Sequence, residues 1–100
     1  MIYYVDIDET ICEYSCSRIY TRATPIEKNI DKINKLYDQG HTIVYWTARG
    51  STTGIDWTDV TEKQLDSWGA KRHELRLGKP HYDVFICDKA MNTKDFFGNE

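Results

Sequence analysis

The sequence predicts a three-layer α/β domain with a central parallel sheet. Three observations point there. Short apolar runs rich in β-branched and aromatic residues lie at 2–7, 42–47 and 82–87, the right length for buried strands. Helix-spaced apolar residues fill the intervals between them. The first strand, helix and second strand fit one βαβ unit of about 45 residues, which makes those strands parallel with a right-handed crossover.

The first strand, 2–7, is expected at the centre of the sheet. It runs into Asp6-Ile7-Asp8-Glu9-Thr10. Strand side chains two apart share a face, and a turn at Asp8 would gather both carboxylates at the strand's C-terminal end. Ligands bind at that edge of open α/β sheets. Two acids there repel unless a cation or a shared proton separates them. The plain alternative is a solvated strand end with two surface acids.

Residues 11–25 show no clean period and read as a polar, aromatic loop or short hairpin. Thr24 as N-cap, Pro25 at the first helical position and Glu27 three after the cap predict a helix over 26–39. Its apolar stripe is Ile26, Ile30, Ile33, Leu36 and Tyr37, and Gly40 stops it. The strand at 42–47 ends in Thr47-Ala48-Arg49-Gly50, at the same sheet edge as Asp6. A polar loop at 51–56 leads to a second helix over 57–68, with Val60, Leu65 and Trp68 inward and Gly69 as its stop. Residues 70–81 are basic and irregular, with a short strand expected inside 72–77. The strand at 83–87 closes on Asp88, and Cys87 within it reads as a buried thiol. Asp83, at its far end, reads as structural or solvated. The tail is polar except for Phe96 and Phe97, which are expected to cover the core.

One hundred residues make one domain, 1–100. The net charge of −3 gives no support for nucleic acid or an anionic membrane as partner. No run approaches the ~20 apolar residues of a membrane span, and no basic region precedes the first apolar run as in a signal peptide. Three cysteines do not make a disulfide framework, and Cys12 with Cys16 lacks the partners of a zinc set. His41, His73 and His81 show no ligand spacing. The chain reads as cytoplasmic.

The run Asp6-Ile7-Asp8-Glu9-Thr10 after an apolar strand resembles the first motif of the haloacid dehalogenase-like superfamily, in its phosphatase branch. The likeness extends through Trp46-Thr47-Ala48-Arg49-Gly50, Gln64-Leu65-x-x-Trp68-Gly69, and Gly78-Lys79-Pro80 before Tyr82-Asp83. Together these look like small capless phosphatases, often found in capsule or other surface-polysaccharide biosynthesis. The resemblance implies a Rossmann-like fold and a magnesium-dependent phosphomonoester hydrolase. Asp6 would attack phosphorus and form an aspartyl-phosphate, and Asp8 would serve as acid and then base. The latter role asks for a raised Asp8 pKa. Thr47 and Lys79 would bind phosphate oxygens and stabilise transition-state charge. Magnesium would be held by Asp6, the Asp8 carbonyl and Asp88. Related proteins often carry two adjacent acids where this chain has Cys87 and Asp88, and a glycine with one acid is the other common form.

Taken alone, Thr47, Lys79 and Asp88 could be an ordinary strand-end threonine, a surface lysine and a turn residue. Thr10 is assigned to the substrate end of the site, chiefly as a support for the turn. Arg49 is either a substrate phosphate or sugar ligand or half of a loop salt bridge. The insertions at 11–25 and 48–56 are too short for a cap domain. The leading expectation is a small phosphorylated metabolite such as a sugar phosphate, although an open site also admits large or polymeric substrates unless another subunit of a homo-oligomer covers it. The same-class rival is a nucleic-acid end phosphatase, favoured by the basic stretch 71–79 and disfavoured by overall charge. A receiver-like signalling domain would need its phosphorylated aspartate after the 43–47 strand, where none stands. A catalytically impaired metal- or partner-binding scaffold is the third alternative, motivated by Cys87.

Overall fold

The structure, a computed structural model, describes residues 1–15 and 17–98. Cys16 lies outside the described residues, so the expectation about its pairing with Cys12 is not addressed. Chain order is β1 (Ile2–Val5), β2 (Cys12–Glu13), β3 (Thr24–Pro25), α1 (Glu27–Asp38), β4 (Thr42–Trp46), α2 (Thr58–Ser67), β5 (Glu74–Arg76) and α3 (Thr93–Phe97). It is an α/β domain with a three-stranded parallel sheet and three helices.

The sheet order is β1-β4-β5, so β4 is central and β1 lies on an edge. This corrects the expectation of a central first strand. That placement needed the 83–87 run on the free side of β1, and it does not form a strand. Among the described residues, no backbone hydrogen bond joins 80–91 to the sheet; the last on this path runs from the Lys79 N–H to the Thr47 carbonyl. Pro80 then removes a donor. Val84 is 73% exposed and Ile86 92%, and Cys87 is exposed rather than buried. An apolar run has the composition of a strand, but it becomes one only where a neighbouring edge accepts its ladder.

Registry sets the faces. Tyr3 pairs Ile43, and Val5 pairs Tyr45, which pairs Leu75. These point into the core with Ile30 and Ile33 of α1 and Leu65 of α2, and Phe96 and Phe97 of α3 pack against the same cluster. The other face carries Ile2, Tyr4, Val44, Trp46 and Arg76. All three helices thus feed one face, giving two layers instead of the expected three.

The hairpin of β2 and β3 corrects the first helix start. Pro25 pairs with Cys12 and Thr24 with Glu13, so Thr24 is held in a ladder and does not cap. α1 starts after Ile26, whose N–H is donated to the Ile11 carbonyl. Asp56 accepts the Thr58 N–H at 2.9 Å and fixes the start of α2. The tail adds a helix not expected from the sequence, with the Asn92 side chain accepting the Lys94 N–H at 2.9 Å.

Candidate functional site

β1 stops at Val5, and the chain turns over 7–12. Ile11 and Thr10 donate their N–H groups to the Ile7 carbonyl, and Glu9 sits in left-handed backbone at φ 63°. Parallel pairing aligns the C-terminal ends of β1 and β4, and the Lys79 N–H bond to Thr47 ties the segment after β5 to that edge. The sequence-predicted residues Asp6, Asp8, Thr47 and Lys79 are gathered there.

Asp6 faces outward, with 42% of its side chain in solvent, and the Lys79 ammonium lies 3.6 Å from its Oδ2. Its Oδ1 accepts the Ile7 N–H at 2.8 Å. Partial burial raises the Asp6 pKa, and Lys79 and the Ile7 bond only partly offset that rise. Thr47 is buried, and its Oγ1 accepts the Arg49 N–H at 3.1 Å.

Asp8 is held differently. The Arg49 Nη2 donates to Oδ1 at 2.8 Å and Nε to Oδ2 at 3.1 Å, a bidentate pair. The Tyr14 hydroxyl donates to Oδ1 at 2.5 Å, and the Cys12 thiol lies 3.5 Å away. Burial works to raise the Asp8 pKa, but the Arg49 and Tyr14 bonds outweigh it and hold the carboxyl below its ordinary value. The expected upward shift is therefore corrected: the like charge of Asp6 is overridden by a contacting guanidinium.

Arg49 settles into the salt-bridge alternative. Its side chain is fully buried, so it is not at the mouth of the site. Besides Asp8 it donates to Thr61 Oγ1 at 3.1 Å and Gln64 Oε1 at 2.6 Å, and it lies 4.7 Å over the Tyr20 ring. Thr10 is likewise internal. Its Oγ1 is 2.9 Å from that of Thr93, and its carbonyl accepts from Asn29 Nδ2 at 2.8 Å. In this arrangement Thr10 supports the turn and Arg49 pairs with Asp8. Tyr14, Thr61 and Tyr20 were missed because the hairpin and α2 give no periodic signal at those positions. Gln64 stood in a motif without a role.

Asp88 is not brought to Asp6. It is exposed, and its carboxylate contacts the neighbouring Cys87 thiol at 3.8 Å. Among the described residues, no three His, Cys, Asp or Glu side chains form a group able to hold a metal. Of the donors expected for magnesium, Asp6 stands at the strand end and Asp88 in the exposed segment that follows Lys79, while the Arg49 bonds engage the Asp8 carboxylate and not its backbone carbonyl.

The fold is shared with a solved protein. A structural-genomics target from Vibrio cholerae superposes with a TM-score of 0.84 at 24% identity, covering 99% of this chain and 89% of that one. No protein-family profile matches the sequence, and neither does any curated protein sequence. No helix among the described residues is long and apolar enough to cross a membrane.

Proposed function

We propose that the chain is a capless, haloacid dehalogenase-like phosphatase that hydrolyses the monoester of a small phosphorylated metabolite through an aspartyl-phosphate on Asp6. One observation carries the reading: Asp6 stands half-exposed at a parallel-strand end, faced by the Lys79 ammonium, while Asp8 two residues on is locked in place. The Asp6 oxygen forms the bond to phosphorus, and the bond from phosphorus to the leaving oxygen breaks. Lys79 offsets the charge on the phosphoryl oxygens. Water then attacks the intermediate, and Asp8, resting as a carboxylate beside Tyr14, takes its proton. In the first step the protonated fraction of Asp8 gives its proton to the leaving oxygen, and the proton taken from water in the second restores it. Thr47 supports the phosphoryl site through its hydroxyl. Magnesium belongs to the reading through the family resemblance, which would have Asp6, the Asp8 carbonyl and Asp88 hold it.

A small substrate is favoured over a nucleic acid end. Each cation of the basic stretch has an acidic partner: Lys71 with Asp38, Arg72 with Asp66 and Glu62, Arg76 with Glu74, Lys79 with Asp6. Little net positive potential remains for a polyanion. The free Cys12 and Cys87 thiols agree with a reducing cytoplasm. A sugar phosphate of surface-polysaccharide biosynthesis is the pathway that the resemblance suggests. The scaffold alternative draws on Cys87, which stands where related proteins often carry a second acid. Phosphate release from sugar phosphates, nucleotides and 3′-phosphorylated oligonucleotides, with magnesium and with chelator, separates these readings. Turnover of a small ester that vanishes in Asp6→Asn is expected. Magnesium binding without turnover of any ester would favour the scaffold.

A further inference from the structure

We propose that Trp46, Tyr82 and Phe85 form an aromatic shelf beside Asp6 that receives the leaving group, so that the ester cleaved here carries a ring with a flat apolar face. The inference rests on the phosphatase reading and names the substrate class of that site. Lys79 connects the two. Its ammonium lies 3.6 Å from Asp6, 5.5 Å from the Trp46 ring centroid and 5.6 Å from that of Tyr82. In-line attack puts the leaving oxygen on the side of phosphorus away from Asp6. The leaving group therefore points away from Asp6, and the rings that the Lys79 ammonium contacts are the aromatic surface assigned to it.

The surface continues beyond Tyr82. The Tyr82 and Phe85 rings lie 5.4 Å apart at 37° to one another. They touch each other yet remain 39% and 51% exposed. Neither joins the core cluster, and their segment makes no backbone hydrogen bond to the sheet among the described residues. The fold does not need them for burial, and exposed aromatics grouped beside a reactive carboxylate are a recognition surface. Their faces accept a nucleobase or aryl ring by stacking, and the C–H face of a pyranose by apolar contact.

The test compares KM values for 4-nitrophenyl phosphate, adenosine 5′-monophosphate, glucose 6-phosphate and acetyl phosphate, which has no ring. Tyr82→Ala and Phe85→Ala alter exposed positions. In Tyr82→Ala, KM for a ring-bearing ester should rise about tenfold more than KM for acetyl phosphate, the scale of one lost stacking contact, and kcat should move less than KM. The ester most affected distinguishes a planar ring from a pyranose. Equal KM changes with and without a ring would overturn the shelf and leave the phosphatase reading intact. If wild type turns over no substrate, the phosphatase reading falls. Binding of adenosine and methyl glucoside, followed by Tyr82 ring resonances, then decides the shelf: perturbation supports it, and unchanged resonances overturn it.

Discussion

Only Ile7 separates Asp6 from Asp8, yet the two carboxylates are held in opposite states. Asp6 carries a charge that its surroundings disfavour, and Asp8 a charge that they stabilise. Asp8→Asn leaves a buried guanidinium without its counter-charge, so it should cost about 3–5 kcal/mol of stability as well as roughly 10²–10⁴-fold in turnover. Denaturant unfolding checks the first and steady-state rates the second. Asp6→Asn should instead leave stability unchanged or raise it at pH 7. A raised folded pKa means that folding opposes ionisation, so the penalty applies once pH exceeds the folded pKa. It disappears below the ordinary carboxyl value of 3.8. Melting temperatures of the two proteins should converge in acid. The Asp8 contribution has the other sign, being full above 3.8 and lost as pH falls through its depressed folded pKa.

Elements position these residues through the loops that end them. Gly50 has φ +80°, and a Cβ there would collide with the Ile55 carbonyl oxygen. Gly50→Ala should destabilise by more than the ~1–2 kcal/mol of the left-handed backbone alone, and should disturb Thr47 and Arg49 together, seen as loss of activity. In β4, the Tyr45 hydroxyl is buried without a partner among the described residues. Tyr45→Phe should stabilise by up to about 1–3 kcal/mol, read from the denaturation midpoint. The first two helices, β1, β4 and the short strand inside 72–77 were legible because apolar spacing and glycine stops report local structure directly. The strand-end positions of Asp6 and Thr47 followed from that spacing, whereas Lys79 was assigned to the site through the family resemblance alone. The Arg49 cluster was not legible, since its partners come from the turn, the hairpin and α2, which no local pattern relates. The 82–87 run was misleading for the complementary reason: its composition reports strand propensity, and its lack of pairing is a tertiary fact.

At the scale of the whole molecule, one sheet face carries all three helices, and the other presents Tyr4 and Trp46 edge-to-face at 5.8 Å beside Arg76. A parallel sheet is ordinarily covered on both faces, so this side and the 82–87 run are the apolar liabilities of the molecule. Ile86→Lys should reduce aggregation without lowering the melting temperature, because nothing packs on that side chain. Asp6 is the outward carboxylate at the C-terminal end of β1. The account stands on that carboxylate becoming phosphorylated. The direct measurement is acid quench of the protein after mixing with an activated aryl phosphate and magnesium, followed by peptide mass spectrometry. A phosphoryl group on Asp6, absent in Asp6→Asn, is the predicted result. Sustained phosphate release with no phosphorylated Asp6, or release unchanged in Asp6→Asn, would contradict it.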